Sequence, residues 1–74
     1  MPKLYSARLV LKALQKAGFE IVSQRGSHIK LAKTQAGDVL TVIVPNHKEI
    51  AIGTFLSILK QSGLSRQEMD KLLK

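Results

Sequence analysis

The chain contains no cysteine and only five acidic side chains among its 74 residues. Without cysteine there is no disulfide framework and no thiolate metal site. No stretch has the pattern of a secretory leader, and none is a long apolar span, so the expectation is a soluble cytoplasmic protein with no membrane attachment. The carboxylates are also badly placed for chemistry. Glu68 and Asp70 stand two apart on an expected helix and do not converge. Two histidines without carboxylates at ligand spacing make a poor zinc site, so no metal is expected. No glycine-rich phosphate fingerprint opens a helix, no serine has a recognisable nucleophile setting, and no small-molecule cofactor is expected.

What is present is positive charge. Twelve Lys and Arg against five Asp and Glu give a formal charge of +7, which points to a polyanionic partner, with nucleic acid the leading candidate. The basic residues are scattered along the chain and do not line one long amphipathic helix, which disfavours a membrane surface. Apolar residues form 45% of the sequence in spaced clusters, so the chain reads as globular. At this length one domain over residues 1–74 is expected, burying roughly 60% of the surface its unfolded chain would expose.

Ser6 can cap a first helix with Leu9, Val10, Ala13, Leu14 and Ala17 on its apolar side and Arg8, Lys12, Gln15 and Lys16 on its wet side. Gly18 ends it, and Phe19 can fold back onto its last turn. Three strand-like runs follow, at residues 19–24, 28–33 and 39–44, punctuated by Arg25-Gly26-Ser27, Gly37-Asp38 and Pro45. Such short turns favour an antiparallel meander. Residues 53–62 read as a second helix burying Ile52, Phe55, Leu56 and Leu59, closed by Gly63. A short third helix begins at the capping box Ser65-Arg66-Gln67-Glu68 and offers Met69, Leu72 and Leu73. The order α-β-β-β-α with a short extra C-terminal helix predicts an α+β fold. Its helices should cover one face of a three-stranded antiparallel sheet and leave the other open.

Strand alternation then fixes the direction of one histidine. Ile29 and Leu31 share one face of their strand, so His28 and Lys30 must share the other. With the apolar pair turned to the helices, His28 lies on the open face beside Arg25, Gly26 and Ser27, where a phosphate can meet a guanidinium, a backbone N–H and a hydroxyl. Histidine is suited to take the proton of a ribose 2′-hydroxyl, and nearby cations can stabilise charge developing on the attacked phosphate. The same residue can equally be an ordinary surface histidine beside a turn. His47, in Pro45-Asn46-His47-Lys48, reads as a second acid, a phosphate ligand, or a loop side chain that caps a turn or meets a protein partner.

Gly26-Ser27-His28, Val44-Pro45-Asn46-His47-Lys48 and the run from Gly53-Thr54-Phe55 through Ser62-Gly63-Leu64-Ser65 resemble the HicA toxin family in sequence and order, across nearly the whole chain. The resemblance implies a fold similar to double-stranded-RNA-binding domains and a metal-independent mRNA interferase (endoribonuclease) activity of a type II toxin–antitoxin pair. By the same resemblance His28 is the catalytic residue, with Gly26 and Ser27 shaping its turn. It further implies that a HicB-type antitoxin covers the active face and blocks cleavage until that antitoxin is degraded. Arg25, Gly26, Ser27, Lys30, His47 and Lys48 are then the expected RNA contacts, with mRNA and the antitoxin as partners. Many relatives have a longer stretch between the histidine matching His47 and the Gly-Thr pair, whereas here Lys48-Glu49-Ile50-Ala51-Ile52 runs directly into it. Two other classes fit the same surface. A non-catalytic RNA-binding module would bind without cutting, and a protein-docking module would bind RNA only weakly and lose it at moderate salt.

Overall fold

A computed structural model describes residues 4–74; the first three residues of the expected domain lie outside the described ones. The elements run α1 (Ala7–Lys16), β1 (Glu20–Arg25), β2 (His28–Gln35), β3 (Asp38–Pro45), α2 (Ile52–Ser62) and α3 (Arg66–Leu73). This is the expected α+β order, with one antiparallel sheet in the order β1-β2-β3.

Local chemistry explains the ends of the helices. The Ser6 hydroxyl accepts the Leu9 N–H at 3.2 Å and starts α1. Gly18, at φ 101°, turns the chain left-handed after it. The Phe19 N–H then reaches the Leu14 carbonyl and the Gly18 N–H the Gln15 carbonyl, both at 3.0 Å, in a Schellman closure that carries Phe19 into the core. The capping box of α3 forms as read. Glu68 N–H donates to the Ser65 hydroxyl and Ser65 N–H to the Glu68 carboxylate, each at 3.0 Å. The backbone hydrogen bond from Ser65 holds that carboxyl below its ordinary value.

Ile29 and Leu31 of β2 and Val42 and Val44 of β3 turn inward onto Val10, Ala13 and Leu14 of α1, with Phe55, Ile58 and Met69 from the other helices in the same core. Burial of each large side chain is worth about 1.5–3 kcal/mol. No helix among the described residues is long and apolar enough to cross a membrane.

The structure corrects three details. On α1 the buried stripe begins at Ala7, and Leu9 is exposed. On α2 the buried stripe is Phe55, Ile58, Leu59 and Ser62, while Ile52 and Leu56 remain 44% and 50% exposed. Two overlapping i, i+3, i+4, i+7 stripes are written on that helix and share Phe55 and Leu59. The helix presents the one containing Ser62, whose hydroxyl is satisfied by donating to the Leu59 carbonyl and accepting from the Leu64 N–H. Finally, β1 is exposed along its whole length, including Ile21 and Val22, and its register with β2 shifts between Ile21 and Ser23. The helices cover β2 and β3 and stop short of it.

Candidate functional site

The open face takes its shape from the register. Arg25 pairs with His28 and Ser23 with Lys30 across β1 and β2, while His28 pairs with Pro45 and Lys30 with Ile43 across β2 and β3. Paired residues share a face, so Ser23, Arg25, His28, Lys30 and Ile43 come together and line a shallow depression of about 390 Å³. His28 and Lys30 are exposed there, opposite the buried Ile29 and Leu31, as the alternation requires.

On its other side His28 borders a larger cleft of about 500 Å³. The sheet contributes His28, Ile43 and Pro45 to it, the following loop His47, Glu49 and Ala51, and α2 contributes Thr54, Ser57 and Gln61. The cleft exists because α2 stands along the outer edge of β3. The Ile43 N–H, which points away from the sheet, donates to Gln61 Oε1 at 3.0 Å, so a side chain covers the free strand edge and fixes the helix beside it. Ala51 supplies no side-chain cap to the start of α2. Its first-turn N–H groups therefore have no acceptor from the N-cap side chain.

The segment after β3 is held by main-chain bonds. Asn46 N–H donates to the Ser27 carbonyl at 2.6 Å, His47 N–H to the Pro45 carbonyl at 2.9 Å, and Ala7 N–H to the His47 carbonyl at 3.0 Å. Ile50 N–H donates to the Tyr5 carbonyl at 2.8 Å, and the Ile50 side chain enters the core. The turn before His28 and the loop carrying His47 are thereby tied together, and both histidines open onto one cleft.

Of the residues singled out in the sequence, Arg25, His28 and Lys30 converge in the shallow depression, and His28 and His47 in the cleft. Gly26 and Ser27 form the two-residue turn between β1 and β2 and line neither depression; Lys48 is exposed and likewise lines neither. Thr54, Ser57 and Gln61 were missed. Their signal is their spacing of three and then four, a polar stripe on the helix whose apolar stripe drew attention. Among the described residues no group of three or more His, Cys, Asp or Glu side chains is placed to hold a metal ion.

No curated protein matches the chain. A family model described as the HicA toxin of bacterial toxin–antitoxin systems matches residues 7–64, from the first turn of α1 to the residue after Gly63, and so takes in the whole sheet and both sides of the cleft. The chain belongs to the HicA toxin family.

Proposed function

We propose that the protein is a metal-independent endoribonuclease that cuts mRNA in the cytoplasm, the toxin of a type II pair, with His28 as general base. The observation that carries this reading is the position of His28, exposed at the junction of a depression containing Arg25 and Lys30 and a cleft containing His47. A phosphodiester laid across that junction meets a guanidinium fork and an ammonium on one side of the imidazole. His28 takes the proton from the ribose 2′-hydroxyl, and the 2′-oxygen attacks the adjacent phosphorus while Arg25 and Lys30 stabilise the charge gathering on the phosphate oxygens. The nucleophile is already part of the substrate, so no second reactant has to be captured. Lys48 and the backbone of Gly26 and Ser27 extend the RNA contact beyond the reacting phosphate. A HicB-type antitoxin lying over this face would exclude RNA and silence the toxin.

The products test the reading. In EDTA, cleavage should persist and leave a 2′,3′-cyclic phosphate and a 5′-hydroxyl, and RNA with 2′-deoxyribose at the scissile position should resist. Mass spectrometry of the fragments separates the outcomes. Ends bearing 5′-phosphate, or normal cleavage of the 2′-deoxy substrate, would remove the role given to His28. RNA binding without any cleavage would make the protein a binding module.

A further inference from the structure

We propose that His47 is the general acid of the same reaction, protonating the 5′-oxygen as it leaves; this rests on His28 being the base. When the 2′-oxygen bonds to phosphorus, the bond from phosphorus to the 5′-oxygen breaks, and the electron pair stays on that oxygen. The 2′-hydroxyl proton passes to His28, and the proton that neutralises the departing alkoxide must come from elsewhere. Attack and departure are roughly in line through phosphorus, so the acid has to stand on the far side of the phosphate from the base. A single imidazole does not reach both oxygens.

The cleft supplies a second imidazole. His28 and His47 line it together, on different segments, and the segment holding His47 is anchored on two sides, by the bonds from Asn46 to Ser27 and from Ala7 to His47, and tightened by the local bond from His47 to Pro45. Both backbone polar groups of His47 are engaged, so its Cα is held much as it would be inside an element, although it lies in a loop. The other polar side chains of the cleft are less suited to the task. Gln61 accepts the Ile43 N–H, and the Ser57 hydroxyl donates to the Gly53 carbonyl at 3.2 Å. Thr54 offers a hydroxyl and Glu49 a carboxylate. Imidazole is the group that both holds and releases a proton around neutral pH. Once it has given its proton to the 5′-oxygen, His47 is neutral and His28 is cationic, and exchange with water restores both.

A sulfur substitution at the leaving position isolates this step. A thiol ionises at about pH 8.5, so a bridging 5′-thiolate departs without the proton that an alkoxide needs. His47→Ala should cleave ordinary RNA about 10² to 10⁴ times more slowly than the parent and cleave the same RNA with a bridging 5′-sulfur at close to the parent rate. His28→Ala should be slow on both substrates, since the 2′-hydroxyl still has to lose its proton. His47→Gln, checked for folding by circular dichroism, should behave as His47→Ala does. Equal losses on oxygen and sulfur substrates would assign His47 to RNA binding or positioning and overturn the proposal, as would an undiminished rate on ordinary RNA. If His28→Ala cleaves ordinary RNA at the parent rate, the base assignment falls first, and the acid assignment falls with it.

Discussion

The two hairpin turns of the sheet have the same length and lie at opposite ends of β2, yet they are built differently. Gly26-Ser27 joins β1 to β2, with positive φ, 56°, at the glycine alone, the pattern of a type II′ turn. Ala36-Gly37 joins β2 to β3 with positive φ at both positions, 52° and 85°, as a type I′ turn requires. Both twists suit an antiparallel ladder. The difference is in what else each turn does. Ser27 offers its carbonyl to Asn46 at 2.6 Å, binding the turn to the loop that carries His47, whereas no backbone hydrogen bond ties Ala36 or Gly37 to another loop of the described residues. Setting strand register needs only a tight turn of the right hand. Holding two histidines to one cleft needs that turn to be attached to something, and at the attached end the left-handed position is left to glycine.

The largest effect separating the two ends should come from removing the base. His28→Ala is expected to lower cleavage about 10² to 10⁴-fold with the fold unchanged, because His28 is exposed on β2 and packs into no part of the core. Thr34→Ala, near the other end of the same strand and also exposed, should cleave at the parent rate. A folded His28→Ala protein with parent activity, or a Thr34→Ala protein as impaired as it, would erase the distinction between the ends.

A smaller and more discriminating effect is expected from the turn glycines. Neither Gly26 nor Gly37 has a neighbour that an added Cβ would strike, so alanine at either position costs only the left-handed backbone, about 1–2 kcal/mol. The two variants should therefore lose similar amounts of stability in a denaturant titration. Their activities should diverge. Relaxation at position 26 shifts the Ser27 carbonyl on which Asn46 is hung, and a displacement on the order of 1 Å between catalytic groups can cost about 10²-fold in rate. Gly37→Ala, measured at a temperature where both variants remain folded, should retain the parent rate. Matching activity losses would show that turn strain acts through global stability and not through the cleft.

Much of this arrangement is legible in the sequence where the cause is local. The Ser6 cap, the Gly18 closure, the Ser65 and Glu68 box and the alternation of His28, Ile29, Lys30 and Leu31 each depend on a few neighbouring residues, and each forms as the residue types require. The open face holding His28, Arg25 and Lys30 follows from alternation plus a two-residue turn. What the sequence hides is settled between distant segments. On α2 two stripes fit the helical period, one wholly apolar and one ending in Ser62, and the choice between them depends on how the helix meets β3 through Gln61 and the buried Ser62. That choice is also what turns Thr54 and Ser57 into the wall of the cleft. Similarly, nothing near His47 in the chain announces that it shares a cavity with His28. Its position is set by hydrogen bonds from Asn46 to Ser27 and from Ala7, partners 19 and 40 residues away in sequence.

The smallest effect should appear at the turn without a site, and in the opposite direction. Ala36 is the one residue other than glycine with positive φ among the described residues, and the left-handed conformation crowds its Cβ against the following carbonyl. Asparagine tolerates that conformation better, and Asn-Gly is the preferred pair for a type I′ turn. Ala36→Asn should therefore stabilise the fold by about 0.5–1 kcal/mol, which for a domain of this size raises Tm by roughly 2–8 °C. Ala36→Gly relieves the same crowding but frees the unfolded chain as well, so its gain should be smaller. Because no bond from this turn reaches the cleft-bearing segments, neither substitution should alter the cleavage rate of the folded protein. Thermal unfolding followed by circular dichroism, with cleavage assayed well below Tm, tests both statements together. A Tm unchanged or lowered by asparagine would mean that the strain at Ala36 is already relieved by its surroundings. A changed cleavage rate would mean that the far turn communicates with His28 along β2, and that the two ends of the strand are less independent than their hydrogen bonds indicate.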